Sequence, residues 1–142
     1  MLTDQFDVEA LAQQLKRMGA RYFVLTLGQN SGYFNAPSAV YDRMTGYAAG
    51  ELTEPPDIVP ASRWLDGSQW HALTYTGSNW AERNLRFTDE QWANWVKAVV
   101  AHGGVVTLDM GLNRDANAGP IGAIAEAQVK QGVAIKTAIG KL

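Results

Sequence analysis

Apolar positions recur at helical spacing twice in this chain, and each time the run stops at glycine and passes into a β-branched or apolar stretch. Leu11, Leu15 and Met18 mark the first face. Asp7 stands where an N-cap belongs, Phe6 before it can supply half of a hydrophobic staple, and Gly19 is the stop. Tyr22 to Leu27 then predicts a strand covered on both faces, as strands of parallel sheets are. The second unit is the more strongly marked. Thr88-Asp-Glu-Gln91 is a capping box, Phe87 is poised to staple onto Trp92, and Trp92, Trp95, Val96 and Val99 form one face. Gly103-Gly104 ends that helix, and Val105 to Asp109 is the strand that follows.

Between the two units the pattern is more broken. Gly28 to Asp57 reads as loop, with Pro37, Gly46, Gly50 and the pair Pro55-Pro56 as breakers. Arg63 to Trp70 predicts a hairpin-like turn at Asp66-Gly67, and Trp70 to Tyr75 alternates like a strand. Gly77 to Asn84 is a polar, aromatic loop. After Asp109 a loop to Pro120 leads into a last helix, with Ile121, Ile124, Ile135 and Ile139 on or near one face and Gly132 as a weak point.

These elements predict a single α/β domain over 1–142, divided at Pro55-Pro56. Residues 1–54 form a first αβ unit and its loop, and residues 57–142 a second segment. The architecture expected is a partial (β/α) barrel or a small open sheet flanked by helices. In either, ligands bind in the loops that leave the strand ends. Those loops are Gly28 to Pro37, polar and spaced with glycine, and the stretch after Asp109.

Composition narrows the partners. Apolar residues make up 46% and charged residues 18% of 142 positions, which is the balance of a folded domain rather than a disordered chain. A net charge of −2 leaves no basic footprint, so nucleic acid is not an expected partner. The absence of cysteine excludes disulfides and thiolate chemistry. With only two histidines, far apart in sequence, no transition-metal site is expected either. The first seven residues lack a basic and then apolar leader, and no run approaches a membrane span, so a cytoplasmic protein without membrane contact is the expectation. No nucleotide-binding glycine signature is present. Gly28-Gln-Asn-Ser-Gly32 has no helix signal directly after it, so it is not a phosphate loop.

Three pieces of the chain resemble the barrel domain of the α-L-fucosidases of glycoside hydrolase family 29. They are Phe6 to Leu27 with the loop Gln29-Asn-Ser-Gly-Tyr-Phe34, then Arg63-Trp-Leu-Asp-Gly-Ser-Gln-Trp-His-Ala-Leu-Thr-Tyr-Thr-Gly77, then Arg86 to Gln91 leading to Asp109. The resemblance implies strands of a (β/α)₈ barrel, a fold that typically takes about 250 residues. Here an early and a late part meet near Pro55-Pro56 and the middle is missing. The family's pair of sugar-holding histidines is replaced by Gly28-Gln29. Trp64-Leu-Asp-Gly67 is similar to the context of the family's nucleophile, although its flanks match a later segment.

Glycoside hydrolysis needs two carboxyl groups, about 5–5.5 Å apart for retention and about 6.5–9.5 Å apart for inversion. Asp109, at a strand end in a glycine-framed loop, is the first candidate. Glu82, beyond the strand that ends at Tyr75, is the second, followed by Asp66 and Glu51. Each also reads as an ordinary group: a turn-forming aspartate for Asp109 and Asp66, a solvated surface charge for Glu82 and Glu51. Gln29, Asn30, Tyr33, Phe34, Trp70, His71, Asn79 and Trp80 form the candidate sugar-contacting set, with aromatic faces for C–H groups and amides for hydroxyls. The expected activity is hydrolysis of galacto-configured pyranosides (α-L-fucosides, β-galactosides, β-fucosides or α-L-arabinopyranosides), without a cofactor. A catalytically inactive carbohydrate-binding remnant is the alternative, and an esterase a weaker third. Because an incomplete barrel exposes strand edges, a homo-oligomer is expected.

Overall fold

The computed structural model describes residues 5–23, 49–51, 58–65 and 67–140. Its first two helices form where the local signals place them. The first, α1 (Val8–Met18), is capped by the Asp7 carboxylate, which accepts the Ala10 N–H at 2.9 Å. It ends at Gly19, in the left-handed conformation at φ 72°, whose N–H returns to the last turn. The second, α2 (Asp89–Ala101), carries the complete capping box, with Gln91 N–H to Thr88 Oγ1 at 3.2 Å and Thr88 N–H to Gln91 Oε1 at 2.9 Å. Phe87 and Trp92 meet edge to face at 5.4 Å, which is the staple. Gly103, at φ 79°, and Gly104 turn the chain back into the sheet.

Five strands are described: β1 (Ala49–Glu51), β2 (Trp64–Leu65), β3 (Ser68–Gln69), β4 (His71–Tyr75) and β5 (Val105–Asp109). β2 and β3 pair as the antiparallel hairpin predicted at residues 66–67. β1, β4 and β5 form a parallel sheet in the order β1-β4-β5, so the described residues make a small α/β fold. In register, Ala72 faces Val106 and Tyr75 faces Asp109. Ala72, Val106 and Leu108 join Trp92, Trp95, Val96 and Val99 in the core between the sheet and α2. Alternation along the strands puts His71, Leu73, Tyr75, Val105, Thr107 and Asp109 on the opposite face.

The third helix, α3 (Glu126–Ile139), lies between α1 and α2. Gly132, a weak point by propensity, is where α1 comes close. A Cβ there would stand 2.6 Å from Met18 Sδ, so the missing side chain makes room for the crossing. The helix begins later than its apolar pattern suggests. Ile121 and Ile124 precede it, and Ile124 pairs with Leu112 in an isolated bridge. The Phe6 ring lies directly over Gly122, itself at φ 82°. The strand predicted at Tyr22 lies outside the described residues from Val24 onward, and Tyr22 and Phe23 belong to no strand. β1 was hidden within a predicted loop. Among the described residues no helix is long and apolar enough to cross a membrane.

Candidate functional site

Parallel strands end together, so β4 and β5 release their loops on one rim, with Tyr75 and Asp109 side by side as the last residues. The Thr76 N–H and hydroxyl both donate to the Asp109 carbonyl at 3.0 Å, which extends the pairing one residue past β4. The loop after β4 then folds across the loop after β5. Asn79 to Glu82 makes a tight turn, with Glu82 N–H to Asn79 O at 3.2 Å. Ala81 sits in it at φ 59°, a left-handed conformation that costs a side-chain-bearing residue about 1–2 kcal/mol. The Asp109 carboxylate holds that turn, with Oδ2 accepting the Ala81 N–H at 2.5 Å.

Two glycines allow the turn to settle. A Cβ on Gly77 would collide with the Glu82 carbonyl, and one on Gly111 would stand 2.6 Å from the same oxygen and 2.8 Å from Arg83 Cα. The main chain at Glu82 is thus wedged between Gly77 of its own loop and Gly111 of the other. Asp109 is half-buried and Glu82 exposed. Trp80 projects from the turn at 40% exposure, its ring 5.0 Å from that of Tyr75. Asn79 Oδ1 accepts the Trp80 N–H at 2.8 Å, which orients the amide beside them.

Behind the rim the loop is anchored to the body of the protein. Arg86 stacks over Tyr75 with its guanidinium carbon 4.1 Å from the ring centre, and donates to Thr74 Oγ1 and the Tyr75 carbonyl, both at 3.0 Å. Two buried glutamines of α3 complete the anchorage. Gln131 Nε2 donates to the Phe87 carbonyl at 2.7 Å. Gln128 Nε2 donates to the Glu82 and Asn84 carbonyls, and its Oε1 accepts the Gly111 N–H.

Asp109, Glu82, Asn79 and Trp80 are therefore brought together. Trp70 and His71 are not. They stand at the start of β4, where four residues at about 3.3 Å each separate His71 from the rim by about 13 Å. The Trp70 ring packs on the core instead, and a Cβ on Gly104 would stand 3.0 Å from it. His71 Nε2 lies 2.6 Å from Thr107 Oγ1, which lies 2.8 Å from the Tyr22 hydroxyl. Tyr22 donates to Val106 O at 3.0 Å, so it accepts from Thr107, and Thr107 accepts from His71. That polarity puts the His71 proton on Nε2, and burial lowers its pKa. Glu51 ends β1 opposite Leu73, two residues short of the rim, and the structure describes its main chain alone. Gln29, Asn30, Tyr33, Phe34 and Asp66 lie outside the described residues.

Tyr75, Ala81 and Gln128 also belong to this rim, and none of them was expected there from the sequence. Tyr75 had a signal, as the last aromatic before the strand end; the other two act through main-chain contacts that residue type does not announce. Among the described residues no group of three or more histidines and carboxylates is placed to hold a metal ion. Neither a family model, a curated protein nor a solved structure matches the chain.

Proposed function

We propose that the rim is the active site of a small glycoside hydrolase acting on galacto-configured pyranosides, built on a partial barrel like that of the α-L-fucosidases. The observation that carries the reading is the convergence of Asp109 and Glu82 from two strand-end loops, beside an exposed indole. Sugars present an apolar C–H face and a polar edge, which suit the Trp80 and Tyr75 rings and the Asn79 amide. Asp109, with Oδ2 held by the Ala81 N–H, acts through Oδ1 as nucleophile or as base toward water. Glu82, open to solvent, acts as the acid that protonates the leaving oxygen. No cofactor takes part. Edges of an incomplete barrel favour self-association, so the working form is a homo-oligomer, which light scattering tests against the monomer mass.

One observation favours a second reading, a carbohydrate-binding remnant without catalysis. The bond from Asp109 to Ala81 is also what a purely structural turn anchor would make. A panel of nitrophenyl glycosides separates the two, combined with a titration of indole fluorescence by free sugars. Turnover of one or more galacto-configured substrates supports the hydrolase. Sugar-dependent quenching without turnover of any substrate supports the remnant, and neither response refutes both.

A further inference from the structure

We infer that Gln128 is the positioning residue that sets the spacing of the Asp109 and Glu82 carboxyl groups, an inference that rests on the glycosidase reading of the rim. Gln128 lies on the inner face of α3 and is fully buried. A primary amide in such a place must satisfy its own polar atoms, and this one does so entirely on main chain from the two strand-end loops. Its Oε1 accepts the Gly111 N–H at 2.7 Å, two residues past Asp109. Its Nε2 donates to the carbonyl of Glu82 itself at 2.8 Å, and to that of Asn84 at 2.9 Å.

The bonds close a ring. From Asp109 the chain runs through Met110 to Gly111, whose N–H meets Gln128; Gln128 meets Glu82, whose neighbour Ala81 donates back to the Asp109 carboxylate. The carboxylate and the amide thus hold the turn at adjacent residues, Ala81 and Glu82. With one of them gone, the turn can hinge on the other. Other glutamines that clamp distant main chain among the described residues are built differently. Gln14 takes the N–H and carbonyl of Ile124 alone, Gln69 the carbonyl of Gly103, and Gln131 the carbonyl of Phe87. None of them joins the two loops.

Only an amide of this length serves. Glutamate could still accept from Gly111 but would turn a carboxylate oxygen toward two carbonyls, and asparagine is one methylene too short. Since a misplacement of about 1 Å can cost a factor of about 100 in rate, the spacing is where a change at Gln128 is felt.

The test compares wild type with Gln128→Glu and Gln128→Met, and with Gln131→Met as a clamp outside the ring. Amide hydrogen exchange at Ala81 and Gly111 is measured alongside kcat and KM on whichever nitrophenyl glycoside the wild type hydrolyses. In both Gln128 variants, Ala81 exchange is expected to accelerate about tenfold or more while α2 core amides stay protected. On the same reasoning kcat per folded molecule falls about 10- to 100-fold with little change in KM. Gln131→Met lowers stability and leaves kcat of the folded protein unchanged. Should one Gln128 variant fail to fold, the other carries the comparison. Unchanged Ala81 exchange, or an unchanged kcat in a wild-type-active background, overturns the inference. If the wild type hydrolyses no glycoside, the glycosidase reading falls, and Ala81 exchange alone still decides whether Gln128 holds the turn.

Discussion

Gly111→Ala probes the apposition of the two loops with a single methyl group. Gly111 has an ordinary backbone conformation, so alanine brings no φ penalty, and the cost is steric, offset by the unfolded-state gain of about 0.4–1 kcal/mol that a Gly→Ala exchange brings. The added Cβ would stand 2.6 Å from the Glu82 oxygen, 2.7 Å from its carbonyl carbon and 2.8 Å from Arg83 Cα, against 3.4 Å or more for an ordinary contact. All three are main-chain atoms, so no rotamer relieves the clash. The turn must retreat by about 0.8 Å, the difference between 2.6 and 3.4 Å. Overpacking of this kind costs about 1–3 kcal/mol. Stretching the 2.8 Å bond from Gln128 to Glu82 adds about 1 kcal/mol. A urea titration should therefore show a net loss of about 1–3.6 kcal/mol at unchanged m-value. Gly67→Ala is the control, because nothing lies within 4 Å of its Cβ and only its φ of 80° is penalised, by about 1–2 kcal/mol. If Gly111→Ala proves no more destabilising than the control, the Glu82 turn is not seated where the account puts it.

Two further substitutions test neighbouring claims. Ala81→Gly removes the left-handed strain, worth about 1–2 kcal/mol, against a rise in unfolded-state entropy of about 0.4–1 kcal/mol. Stability should therefore hold or rise by up to about 1.6 kcal/mol, and a clear drop in melting temperature would contradict the turn geometry. His71→Gln keeps a donor for Thr107 but cannot titrate. Because burial lowers the His71 pKa below its usual 6.5, the unfolded chain takes up that proton first on acidification. The contribution is complete above pH 6.5 and is lost as pH falls through the lowered folded value. Wild type should thus lose stability relative to His71→Gln on acidification from pH 7.5 toward 5, and a pH-independent difference between them would refute this.

What the sequence revealed and what it hid divide along the range of the interactions. The ends of α1 and α2 were legible because Asp7, Gly19, Thr88, Gln91 and Phe87 act within a few residues of one another. So was β5, an apolar run bounded by glycine. β1 was not, since Gly50 gives it little strand propensity of its own and pairing with β4 makes it a strand. Ile121 and Ile124 mimic helical spacing, yet Gly122 and the bridge to Leu112 keep the chain non-helical until Glu126. Trp70 read as an open platform because sequence does not reveal that Gly104 receives its ring. At the site, the addresses of Asp109 and Glu82 followed from strand ends. Gln128 was invisible, as an amide 17 positions from one partner and 46 from another.

The central claim is that Asp109 and Glu82 together break a glycosidic bond. The most direct measurement is kcat for Asp109→Asn on the nitrophenyl glycoside that wild type hydrolyses best, with folding checked by circular dichroism. Asparagine keeps an oxygen for the Ala81 N–H but is neither nucleophile nor base. The account predicts a folded protein whose kcat is lower by about 1,000-fold or more, the scale of losing a group that acts in the transition state. A folded Asp109→Asn with kcat within a few-fold of wild type would contradict it.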